Sequence, residues 1–169
     1  MNSRVILVID DTEYGEAAVE TLEFLGRAGF RGEIYIFYGS HVVYPLLSAE
    51  REVRVFTRLR LKASQIADTS KKRLENVGFK VRQVKILFGP LSEEVLKFEE
   101  ILKPDLIVFG MRRRGLIERV LHGDLYREVV FNTKTPIIVC KPGFRRGEYC
   151  TYDESKCIMC ELKALKEAD

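Results

Sequence analysis

The sequence predicts an α/β fold: a doubly wound, five-stranded parallel sheet with helices on both faces. Two observations carry that expectation. Short apolar runs rich in Val and Ile alternate with longer segments of helical period, and no hairpin turn signal follows any of them. The runs are mostly continuous in their apolar character, as strands covered on both faces are.

The first run, "RVILVID" (Arg4–Asp10), ends on acidic residues. Asp11 or Thr12 can cap the helix that follows, in which Ala17, Ala18, Thr21, Leu22 and Leu25 form one stripe and Gly29 is the stop. "GEIYIFYGS" (Gly32–Ser40) is the second strand. A loop through Pro45 leads to a long basic helix, from near Ser48 to Val77, ended by Gly78. "KVRQVKILFG" (Lys80–Gly89) is the third strand. The next helix has Pro90 near its start, Ser92 as its N-cap and Glu residues in its first turn. "PDLIVFG" (Pro104–Gly110) is the fourth strand. A loop and a helix follow, and "TPIIVCKP" (Thr135–Pro142) is the fifth, with Cys140 buried in it. The chain therefore divides into an α/β domain, 1–142, and a cysteine-containing extension, 143–169, read as a loop and a helix from near Asp153.

With 169 residues and 46% hydrophobic content, one core of this size is well supplied. The net charge of +3 in a chain that is 31% charged does not call for a nucleic-acid partner. The basic run Arg51–Lys62 reads as the solvated face of a helix, since no exposed aromatics are interleaved with it. The apolar run Val5–Ile9 is too short for a leader, and no stretch is long enough to span a membrane, so a cytoplasmic location is expected. His41 and His122 have no nucleophile to serve. After the first strand "DDTEYG" stands in place of a Gly-x-Gly-x-x-Gly loop, so catalysis is not expected, or at most slow ATP hydrolysis.

In such sheets ligands bind beyond the carboxyl ends of the strands, where strand order reverses. That points to Asp10, the Phe37–Ser40 turn, Gly89 and the loop that begins at Gly110.

Three stretches in order resemble the universal stress protein family: "VIDDT", "GPLSEEVLKFEE…KPDLIVFG" and "LHGDLYREVVFNTKTPIIVCKP". The resemblance covers Arg4 to Pro142 and implies an adenine nucleotide ligand in many members, with pairing into homodimers through the fifth strand. It implies that Asp10 lies on the adenine side. ATP-binding members carry Gly-x-x-Gly, nine residues, then Gly-[Ser/Thr], whose backbone N–H groups and helix N-terminus cradle phosphates. Gly110 and Gly123 match the outer glycines of that pattern, and Gly115 can supply a displaced turn. Arg113 replaces the second glycine, Asp124 the hydroxyl residue, and Tyr126 a further serine. A carboxylate near a triphosphate is like-charge repulsion, while Asp124 itself suits a helix N-terminus and can pair with Arg112, Arg113 or Arg114. The resemblance thus comes with a degenerate phosphate loop. ATP stays a candidate ligand, and an ATP-binding protein is the alternative reading.

Cys150, Cys157 and Cys160 form C-x6-C-x2-C in the extension. Three readings stay open for them: a zinc or iron–sulfur site, a disulfide, or reduced thiols without a role. The first would make the extension a metal- or redox-sensing module.

Overall fold

A computed structural model describes residues 3–39, 49–87, 91–110 and 125–143. Five strands, β1 (Ser3–Ile9), β2 (Gly32–Gly39), β3 (Lys80–Leu87), β4 (Leu106–Gly110) and β5 (Ile137–Cys140), form one sheet in the order β3-β2-β1-β4-β5. Every neighbouring pair is parallel. The described helices are α1 (Glu13–Arg27), α2 (Ala49–Asn76), α3 (Leu91–Leu102) and α4 (Leu125–Asn132).

The sheet is apolar on both sides because helices cover both. Val5, Leu7, Ile9, Ile34 and Ile36 point to one face, where they meet Ala17, Ala18 and Leu22 of α1 and Ala63 and Leu74 of α2. Ile6, Val8, Phe37, Ile107 and Phe109 point to the other, against Leu91 and Val95 of α3 and Val129 of α4. Each large side chain buried this way contributes about 1.5–3 kcal/mol of transfer free energy. The expected α1 stripe is correct at Ala17, Ala18 and Leu22, and the Thr21 hydroxyl bonds back to the Ala17 carbonyl at 2.8 Å.

The described side chains of helix α2 join the core from Ala63 onward; Leu61, two residues earlier, is 60% exposed beside Arg58, Arg60 and Lys62. Further along, the Arg73 guanidinium forks onto Glu23 at 3.0 and 2.7 Å and reaches Glu16 at 2.6 Å, which fastens α2 to α1. The hydrogen bonds from Arg73 hold the Glu23 carboxyl below its ordinary range, against the opposing effect of burial.

Two boundaries differ from the sequence reading. Helix α3 begins at Leu91, so Ser92 lies within its first turn rather than at its cap; its buried hydroxyl donates to Glu128 of α4, joining the two helices. The fifth strand is only Ile137–Cys140, because the preceding Thr133–Thr135 turn is committed elsewhere. One oxygen of Glu99, on α3, accepts from the hydroxyls of Thr133 (2.6 Å) and Thr135 (2.7 Å) and from the N–H groups of Lys134 and Thr135 (both 3.1 Å). Burial raises the Glu99 pKa, but these four donors outweigh it and leave the carboxyl below its ordinary value. Nearby, Arg4 and Asp105 exchange hydrogen bonds at 2.8 Å, which ties the start of β1 to the approach to β4.

Candidate functional site at the carboxyl ends of the first and fourth strands

Val8 of β1 stands opposite Phe109 of β4, so the two strands end side by side, at Ile9 and Gly110. From Ile9 the chain turns into α1 on one face of the sheet, while the chain after β4 leads to α4 on the other. This is the place where strand order reverses, which is where such sheets bind their ligands.

Asp10 follows β1 directly and is partly buried. Its Oδ1 accepts from the Thr12 hydroxyl at 2.6 Å and from the Thr12 N–H at 3.0 Å. Thr12 is in turn the N-cap of α1: its φ of −102° and ψ of 166° are extended, and its oxygen accepts from the Tyr14 N–H at 3.2 Å. One hydroxyl thus caps a helix and fixes a carboxylate at the same time.

Two glycines let α1 come this close. A Cβ at Gly110 would lie 1.8 Å from the Tyr14 carbonyl oxygen, so the first turn of α1 rests on the bare backbone at the end of β4. A Cβ at Gly15 would lie 2.6 Å from the Asp10 nitrogen and 2.7 Å from both its carbonyl oxygen and Oδ1. On the neighbouring strand, Tyr38 is 3% exposed; burial, with Asp11 and Asp10 adding to it, pushes its phenol up to about 12. It stays neutral at any physiological pH.

Between α1 and α2 at this end lies a cavity of about 210 Å³, lined by Asp10, Asp11, Thr12, Glu13, Glu16 and Ser70 among others. Four carboxylates on its rim disfavour an anion and suit a hydrogen-bond donor. Lys62 meets Asp11 at 2.6 Å, but both side chains are about half exposed, so this pair adds little.

Of the residues singled out from the sequence, Asp10 and Gly110 are brought together at adjoining strand ends. Gly89, Arg112, Arg113, Gly115, Gly123 and Asp124 lie outside the described residues, as do Cys150, Cys157 and Cys160. Among the described residues no three His, Cys, Asp or Glu side chains converge as a metal site, and no helix is long and apolar enough to cross a membrane. Cys140 is buried on β5; burial pushes its thiol up, and a bond with Thr21 pulls the other way. Gly15 and Tyr38 were missed as individual residues. A glycine in the first turn of a helix, in "EYGEAA", was the available signal for the first.

The model of the universal stress protein family matches residues 1–141. Universal stress protein MJ0577 of Methanocaldococcus jannaschii is 28% identical over 134 residues, covering 79% of this chain and 73% of its own length. Universal stress protein MJ0531 of the same organism is 32% identical over 114 residues, 66% of each chain. Among solved structures, that of MJ0577 aligns with a TM-score of 0.61 at 22% identity, over 83% of this chain and 96% of the other. An Arabidopsis thaliana universal stress protein family member with AMP bound aligns with a TM-score of 0.60 at 16% identity, over 84% and 93%. At those identities the solved structures speak to the fold alone, and the family match carries the assignment: this chain belongs to the universal stress protein family.

Proposed function

We propose that this chain acts by binding rather than by catalysis, as a stress-response or regulatory protein. In this reading its ligand end keeps the base side of an adenine nucleotide site and has lost the phosphate side. The observation that carries it is the Asp10 carboxylate at the strand-order reversal beside Gly110: it is held firmly, yet among the described residues it bonds only to Thr12. A carboxylate fixed in place without joining two parts of the fold is available to a ligand.

The phosphate side is argued from charge. The described rim is already acidic, and Asp124, immediately before α4, adds a carboxylate where the family pattern has a hydroxyl. We read Asp124 as the cap of α4, paired with Arg112, Arg113 or Arg114, so that side chains fill the space a triphosphate would take. ATP at millimolar concentration should then leave the melting temperature unchanged. Clear thermal stabilisation would instead establish the second reading, an ATP-binding protein with at most slow hydrolysis, which the AMP held by the Arabidopsis relative favours.

The same proposal includes a homodimer through β5. That strand is an edge of the sheet, and Val139 on it is 41% exposed, with Phe131 of α4 more exposed still. Light scattering should give twice the chain mass; a monomer at micromolar concentration would remove this part of the proposal.

A further inference from the structure

We infer that the exposed basic face of α2 around Leu61 is a docking surface for the chain's own carboxyl-terminal segment, residues 153–169. The docking does not depend on whether the neighbouring strand ends hold a nucleotide.

Helix α2 is too long for the strands it covers. Its 28 residues run about 42 Å, whereas β2 and β3, with 8 residues apiece, run about 26 Å. Among its described side chains the buried ones, Ala63, Ala67, Ser70 and Leu74, all lie in its second half. The helix leads from the carboxyl end of β2 to the amino end of β3, and these strands are parallel, so its first half lies at the carboxyl edge of the sheet. Lys62, paired with Asp11 just past β1, marks the level of that edge. The residues before it reach beyond.

Leu61 is 60% exposed there, and so are Arg58, one turn before it on the same face, and Arg60. Among the described residues neither arginine has a carboxylate partner, unlike Lys62 with Asp11 and Arg73 with Glu16 and Glu23. From Arg51 to Lys62 the sequence holds five cations against the single carboxylate of Glu52. A bare leucine among unpaired cations suits a partner whose apolar stripe is edged by acids.

Residues 153–169 carry that pattern. On a helix, Glu154, Ile158, Glu161, Leu162, Leu165 and Asp169 share one face about 100° wide. Lys156, Lys163 and Lys166 fall outside it, so no cation borders the apolar stripe. The segment also starts from the right edge. Strand β5 ends at Cys140 and the described chain continues to Gly143, at the same carboxyl edge beyond which α2 reaches. Three strand spacings, about 14 Å, separate β5 from β2, and residues 144–153 can span up to about 33 Å. A second copy offers the same face, but so short a tether gives the chain's own segment the higher effective concentration.

Hydrogen exchange, read by mass spectrometry on the full chain, tests this. In the wild type the backbone amides from Thr57 to Lys62 should exchange at least about tenfold more slowly than in the Glu154→Lys, Glu161→Lys, Asp169→Lys triple variant. Adding Arg58→Glu and Arg60→Glu to that variant reverses the charges on both sides and should restore slow exchange. Equal exchange in the wild type and the triple variant overturns the inference, and so does a charge swap that restores nothing. An isotope-labelled triple variant mixed with excess unlabelled wild type should keep its fast exchange. Protection gained from the wild-type chains would put a second copy's segment on the surface and overturn the inference as well. No nucleotide enters these measurements, so they stand or fall apart from the proposed function.

Discussion

Glu99 and Asp10 are both partly buried carboxylates that hold hydrogen-bonded turns, one near the amino edge of the sheet and one at the carboxyl edge. Their donors come from different places. Glu99 collects four hydrogen bonds from residues 34 to 36 positions away, so its carboxylate joins α3 to the turn before β5. Asp10 collects two from a residue 2 positions away, so among the described residues its carboxylate joins nothing distant. The first is part of how the chain folds. The second is oriented by its own turn, and that difference is what the proposed ligand-facing role of Asp10 rests on.

The comparison can be broken most forcefully at Gly110. The carboxyl edge keeps its shape through backbone contact, and a methyl at this position would meet the Tyr14 carbonyl. Gly110→Ala should destabilise the protein by about 3 kcal/mol or more in urea unfolding, as overpacking against backbone does. A loss below about 1 kcal/mol would mean that α1 can move aside and that its contact with the end of β4 is not rigid.

Next in size is Glu99→Gln, expected to cost about 2 kcal/mol because four donors lose a charged acceptor. Its pH dependence follows from the sign of the shift. Folding lowers the Glu99 pKa, so the unfolded chain takes up the proton first. The stabilisation is whole above the ordinary carboxylate value and fades as pH falls through that value towards the lower folded one. The gap between wild type and Glu99→Gln should therefore close on acidification; a gap that widens would contradict the assignment.

The smallest expected effect is the sharpest contrast. Asp10→Asn keeps an acceptor for Thr12 and disturbs no long-range bond among the described residues, so it should change stability by less than about 0.5 kcal/mol. If it costs as much as Glu99→Gln, Asp10 is a structural residue and the distinction between the two edges is lost.

These residues also show what could be read from the sequence. The strands, their parallel arrangement and the position of Asp10 and Gly110 at strand ends follow from apolar runs ending in an acid or a glycine. The reason for Gly110 did not follow, because it is the approach of Tyr14 from a different element, and no local pattern encodes that contact. Glu99 gave no signal at all: its partners are far along the chain and belong to no motif. Ser92 misled, because a serine followed by glutamates reads as a cap, whereas its hydroxyl donates to Glu128 of a helix further along the chain. Local chemistry is legible where it depends on neighbours in sequence, as with the Thr12 cap, and illegible where packing supplies the partner.

The central claim is that the base side of the site persists while Arg113 and Asp124 have removed ATP from its usual pose. It is tested most directly by melting the wild type and the Arg113→Gly, Asp124→Ser double variant with and without millimolar ATP. The wild type should show no shift, and the double variant should gain about 4 °C with ATP at about ten times its dissociation constant. A wild type that shifts as far as the double variant would contradict the account.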